Sequence, residues 1–534
     1  MRPARAVSAP MHALALALLL AGPAPFAAAQ VFQFNEVGAA RGLLPYAAAV
    51  GQGAGVAAAD LDDDGDVDLF VPNAEGVPDQ LYVNQGDGTY LEEAAARGLA
   101  SLENHRAGLW VDVDGDRDLD LLVAGDCHDE DQTCPPTTLR LHRQEADGTF
   151  TEVTRAAGLF EDLLVQPDTH VGGLAAGDLD RDGDVDLYTA LWEGPAVAWL
   201  NDGAGVFSRW AAGAGTLEQD RNHWQPVLHD VDGDGWLDVV QAVDFTANVL
   251  WRNLGGAALV DVAPLYGVDN AWNDMGVALG DYDNDLDQDV AVTNGLVADR
   301  HNVLYRRTAT HGPGPRFAEQ SQAAGTWVGF WGWGVTWLDA DLDGWLDQAA
   351  TNGGSGLYPS DPSRFFRNTG AAGFDPAVGP TFDDVSTAVG FDDGEWGSAL
   401  LSYDHDRDGD PDLVQACMNG PLRLLELEPP AGRHHLLVKP RSDGGNHRAL
   451  GAVVQITVGG QHQSRLITAG TSFLGQEPAE ALFGLGAATV VDRVCVTFPD
   501  GTMSCAYDVP ADQTITIWRR PPPVRVQVLK KPAP

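Results

Sequence analysis

Apolar positions along this chain fall in short alternating runs, and the 3.6-residue period of amphipathic helices is nearly absent. Turns rich in Gly, Asp and Asn separate the runs, as expected of many short strands. The runs also repeat as a group. A small-residue strand such as residues 55–59 enters an acidic turn, and a Val/Leu-rich strand such as residues 69–71 leaves it. A third strand with a Gly-rich turn follows, as in residues 81–90 and 199–207. The fourth ends in Ala-Gly-Leu or a relative, as in residues 150–159. Four such strands make one propeller blade.

The acidic turns begin at Asp60, Asp112, Asp178, Asp230, Asp281, Asp339 and Asp404, in steps of 52, 66, 52, 51, 58 and 65 residues. Spacing of this size marks propeller blades or solenoid units. Residues 32–43 repeat the fourth-strand pattern before the first turn, and no such strand follows residues 422–427. The first strand is therefore expected to complete the last blade and remove the unpaired sheet edges. The fold class predicted is all-β: a seven-bladed β-propeller over residues 30–428, then a small β domain. Pro429–Gly432 begins a linker (429–433), and a different strand pattern fills residues 434–518. The tail, 519–534, is Pro-rich and basic and reads as disordered.

Each turn follows D-x-D-x-D-G-x-x-D. Positions 1, 3, 5 and 9 are Asp60, Asp62, Asp64 and Asp68 in the first loop, and Asp112, Asp114, Asp116 and Asp120 in the second. They are Asp178, Asp180, Asp182 and Asp186 in the third, and Asp230, Asp232, Asp234 and Asp238 in the fourth. The fifth has Asp281, Asp283, Asp285 and Asp289, the sixth Asp339, Asp341, Asp343 and Asp347, and the seventh Asp404, Asp406, Asp408 and Asp412. Carboxylates converging in a tight loop form an oxygen-only shell suited to a hard cation of Ca2+ size. Gly at position 6 permits the sharp turn. Arg117 and Leu286 stand there in the second and fifth loops, which leaves their occupancy open. The flanks read as strands and no Glu stands at position 12, so these are not EF-hands. The alternative is an acidic surface turn without an ion. The expectation is about five to seven Ca2+ per chain.

Charge supports this placement. The net charge is −45, and 34 of the 77 acidic residues are Asp within the seven loops. The acidity is concentrated at sites, and the basic footprint that nucleic acid requires is absent. Arg2 and Arg5 precede an apolar run, Ala13 to Ala21, and then Ala27–Ala29 before Gln30. This predicts a signal peptide over 1–29, cleaved after Ala29. The run is too short to span a bilayer, so membrane insertion is not expected. Export fits five Cys. Cys127 and Cys134 flank a polar insertion and could staple it. Cys495 and Cys505 are equidistant from the turn at Pro499–Gly501, which suits a cross-strand disulfide. Cys417 is left as a buried thiol, and the alternative is that all five are reduced.

Seven or eight residues before each first Asp, a position opens the entering strand. His105, His170 and His223 occupy it in three consecutive blades, with Asp274 and Glu395 opposite. If that strand is innermost, these residues meet at the channel mouth, either as a transition-metal site or as a polar rim. The run Trp327–Trp337 offers aromatic faces for sugar stacking or a strand packed between blades.

The loops and their Gly-rich flanks resemble the FG-GAP/VCBS repeats of integrin-α-type seven-bladed propellers. That resemblance implies Ca2+ in the loops and a ligand-binding platform in the blades. Gly451-Ala-Val453, Phe483-Gly-Leu-Gly486 and Phe498-Pro-Asp-Gly501 resemble the ASPIC/UnbV domain. The two in this order are the arrangement of the cartilage acidic protein family. The function expected is an exported calcium-binding platform for an extracellular protein or glycan ligand. The alternative is a propeller-scaffolded metalloenzyme using the His/carboxylate funnel.

Overall fold

The computed structural model describes residues 32–44, 54–125, 139–159, 170–211, 217, 221–295, 301–309, 314, 316–354, 361–418 and 420–520. The expected signal peptide, the Cys127/Cys134 insertion and residues 521–534 lie outside these. Among the described residues, seven antiparallel four-stranded blades follow one another. The first holds Val56–Ala59, Asp68–Val71, Gln80–Asn84 and Tyr90–Glu92, each paired with the next. The seventh holds Gly397–Tyr403, Asp412–Cys417 and Arg423–Glu428, and its fourth strand is Gln33–Glu36 from the other end of the chain. Phe34 stands opposite Leu427 in that pairing, so the ring closes as the sequence predicts.

The innermost strands are buried along nearly their whole length. Their small residues allow this crowding. A Cβ on Gly276 would lie 2.1 Å from the Trp333 carbonyl oxygen, and one on Gly334 would lie 2.4 Å from that of Ser398. Neighbouring inner strands thus approach along backbones, a contact that only Gly permits.

Residues 434–520 form the second domain. Gln461–Leu466, Val453–Val458, Val490–Thr497 and Met503–Pro510 make a four-stranded antiparallel sheet. Ala481–Gly484, His435–Arg441 and Gln513–Trp518 make a three-stranded one, with the last strand parallel. Cys495 and Cys505 face each other across the hairpin and are joined by a disulfide. Arg519 and Arg520, assigned from sequence to the tail, still belong to this domain: the Arg519 N–H donates to the Arg441 carbonyl and the Arg520 N–H to Ser504 Oγ. Cys417 is buried in the seventh blade, and burial raises its thiol pKa.

The second domain sits on the loop face of the propeller and sends residues 468–478 down the central channel. That segment meets all seven inner strands. Gly475 pairs in parallel with Val56, and Gln476 bonds the backbone of Trp110 in both directions. Ala469 bridges Ala176, and Ser472 bridges Val277. Leu474 N–H donates to Gln225 Oε1 (2.9 Å), and Leu400 N–H to Ser472 Oγ (3.2 Å). Glu477 accepts from Thr336 Oγ1 (2.5 Å) and the Ser402 N–H (3.0 Å). Phe473, fully buried, wedges between Trp224 and Trp333. The channel is therefore a corked core.

Candidate metal centres

All seven acidic loops share one backbone geometry. The position-6 N–H donates to the position-1 carboxylate in each, from Gly65 to Asp60 (3.2 Å) through Gly409 to Asp404 (3.0 Å). Arg117 and Leu286 keep that bond, to Asp112 and Asp281, both at 3.1 Å. They do so at φ values of 84° and 73°, close to the 94° of Gly65. The glycine replacements therefore retain the turn at the cost of backbone strain, of order 1–2 kcal/mol each. In the first four loops, three carboxylate oxygens of each lie within 4.8 Å of one another.

Position 9 has a second task that the motif did not reveal. Asp68 accepts the Leu61 N–H (3.1 Å) on one oxygen and the Asn84 N–H (2.8 Å) on the other. The same two bonds recur at the other six position-9 residues: Asp120, Asp186, Asp238, Asp289, Asp347 and Asp412. Each of these Asp pins its loop to the third strand of the blade, with one lone pair per oxygen left for a ligand. Burial raises the pKa of Asp68, Asp120, Asp186 and Asp238 to about 8.

The loops also hold buried acceptors with no partner. Asp283 Oδ1, Asp404 Oδ1 and Asp410 Oδ1 are such atoms, on side chains that are almost wholly buried. An unpaired buried carboxylate oxygen is costly. An oxygen-only cluster of this kind fits a hard divalent cation, which would neutralise it. Protein cations neutralise part of it. Arg252 pairs with Asp232, Arg306 Nε with Asp283 (2.5 Å) and Arg367 with Asp341 (2.7 Å). These Arg share one place in the third strand.

The histidine positions open the inner strands, and each has its own neighbours there. His105 Nδ1 lies 2.5 Å from Asp79 Oδ2, and its Nε2 lies 3.5 Å from Glu103. These two carboxylates hold its pKa up at about 8 against desolvation. His170 packs on Trp192, and His223 is wholly buried. Asp274 accepts from Asn248 (2.6 Å), Asn294 (2.8 Å) and Asn270. Glu395 is on the same face, in the turn before the seventh inner strand, with its carboxylate beside Gly420. Within the channel stand Trp224, Trp333 and Phe473 instead. The Trp run divides similarly: Trp337 stacks on Tyr282 and Trp331 on Trp333, while Trp327 stacks on His301.

A closed propeller with seven D-x-D-x-D-G-type loops and a β domain on its loop face defines an FG-GAP-type repeat protein. Comparison with known families agrees. The FG-GAP-like repeat model matches residues 60–123, 112–189, 178–241 and 230–292, and the ASPIC and UnbV model matches 442–522. The chain belongs to the family of FG-GAP-repeat proteins that carry an ASPIC/UnbV domain. It is 27% identical to cartilage acidic protein 1 of Homo sapiens over 267 residues, 48% of this chain and 38% of that protein. The Mus musculus protein is 26% identical over the same length and the same shares of both chains. The chain thus spans well under half the length of the curated relatives it matches. Among solved structures, a lectin of Agrocybe aegerita aligns with 15% identity over 74% of this chain and 93% of the lectin, at a TM-score of 0.38. BBS1N, solved in complex with ARL6DN, aligns with 11% identity over 72% of this chain and 94% of BBS1N, at a TM-score of 0.43.

Proposed function

We propose that this chain is an exported, calcium-binding recognition protein that engages an extracellular protein or glycan with the propeller face opposite its C-terminal domain. The observation that carries this is the position of that domain. It covers the loop face and fills the channel, which favours the far face for a ligand. Leu102, Phe245 and Val328 are exposed there at 57%, 56% and 44%. Singly exposed apolar residues are ordinary, and these three serve as the positions at which contact on that face is probed.

Calcium serves the framework in this reading. It neutralises the buried carboxylates and stiffens the blade edges without touching the ligand. The disulfide suits an oxidising compartment. No helix among the described residues is long and apolar enough to cross a membrane. The test is an array of glycans and extracellular matrix proteins probed with the calcium-loaded chain. Binding that Phe245→Asp or Val328→Asp abolishes supports the far face as the platform. Binding indifferent to both substitutions, or none at all, refutes it.

A further inference from the structure

The seven loops differ in what meets the position-1 carboxylate. One oxygen always takes the position-6 N–H. In the second, fourth, fifth and sixth loops the other takes an N–H of its own loop: Gly115 (2.8 Å), Asp234 (3.0 Å), Asp285 (3.0 Å) and Asp343 (2.9 Å). In the third and seventh loops that other oxygen, Asp178 Oδ1 or Asp404 Oδ1, is buried and has no partner. In the first loop it meets an ammonium. Lys439 of the C-terminal domain donates to Asp60 Oδ2 and to the Gly65 carbonyl, both at 3.2 Å.

Lys439 is built into this position. Its side chain is 11% exposed, and Glu480 Oε2 lies 3.5 Å from the ammonium on its other side. Arg448 completes the grip, with Nη2 donating to the Asp60 carbonyl (3.0 Å) and Nη1 pairing with Asp63 (2.8 Å). Two cations, 379 and 388 positions from Asp60 in sequence, thus reach one nine-residue loop.

We infer that Lys439 is the resident cation of the first loop, so that this loop latches the C-terminal domain in place of binding calcium. This rests on the calcium reading of the other loops. A divalent ion coordinated by Asp60 Oδ2 would stand within about 6 Å of the ammonium, given Ca–O distances near 2.4 Å. At that separation in a buried site the two cations repel strongly. Loss of the lysine charge frees an oxygen equivalent to those of Asp178 and Asp404, and the loop becomes an ion site. The substitution changes two things together: it adds a metal and weakens domain docking.

Elemental analysis of the full chain, equilibrated with calcium and then desalted, tests this. Asp60→Asn is expected to leave the calcium count of the wild type unchanged, while Asp178→Asn lowers it by one. Lys439→Gln is expected to bind one more ion than the wild type, and Lys439→Gln with Asp60→Asn to return to the wild-type count. A count one lower in Asp60→Asn overturns the inference and needs no variant at Lys439. So does a folded Lys439→Gln that gains no ion. A wild type that binds no calcium ends the general calcium reading. The gain of one ion in Lys439→Gln would then still uphold the latch, and no gain would end it as well.

Discussion

Phe473, from the C-terminal domain, lies with its ring centroid 5.1 Å from that of Trp224 in the fourth blade. The two residues are 249 positions apart in sequence, and their contact joins the domains at the propeller axis. Trp333 closes the same cluster from the sixth blade at 5.2 Å. Phe473→Ala leaves a cavity in the cork and is expected to cost about 3–5 kcal/mol. Urea unfolding followed by Trp fluorescence measures it. A change below 1 kcal/mol would mean that the cork contributes little to the joined fold.

Glu477 gives the cork a pH dependence. It is buried, and desolvation raises its pKa to about 7 despite bonds from Thr336 and Ser402. An acid whose folded pKa exceeds its unfolded value, near 4.5, contributes stability that is complete below pH 4.5. That contribution is lost as pH rises through about 7. The span corresponds to roughly 3 kcal/mol at most. Glu477→Gln is expected to flatten the fall in stability between pH 5 and 8, as read by melting temperature across that range. An unchanged slope would contradict the assignment.

Leu286 and Arg117 hold left-handed backbone conformations that glycine adopts without strain. Leu286→Gly and Arg117→Gly are each expected to stabilise the chain by about 0.5–1 kcal/mol. The Arg117 contact with Asp443, at 3.5 Å on a half-exposed side chain, subtracts little. Equilibrium denaturation at saturating calcium checks both. Destabilisation of either variant would mean that the side chain, not the backbone, decides the position.

The Cys495–Cys505 bridge closes a short loop with a sequence separation of 10. Its removal as Cys495→Ala with Cys505→Ala is expected to cost about 2–3 kcal/mol. The loss should fall on the C-terminal domain, with raised amide exchange in residues 490–510. Exchange spread evenly over the propeller would contradict that locality.

Much of the fold was legible because the loop motif marks the phase of every blade. The closing strand was legible because residues 32–43 copy a pattern found at the end of each blade. The disulfide was legible from symmetry about one turn. The cork was not, since residues 468–478 owe their place to seven strands distant in sequence. Lys439 was missed for the same reason: nothing local ties it to Asp60. The histidine funnel shows another limit. Spacing fixed the height of His105 along its strand, but the neighbouring Asp79 and Glu103 determined its contacts. Arg252, Arg306 and Arg367 did carry a sequence signal, one residue before the third-strand position that bonds the last Asp of the loop.

The proposed recognition role depends most on calcium in the acidic loops. Metal analysis of the chain, isolated from an oxidising compartment without chelator or affinity metal, tests it most directly. About six Ca2+ per chain are expected, one for each loop except the first, and no zinc, iron or copper. A chain free of calcium, or one holding a single transition metal, would contradict it.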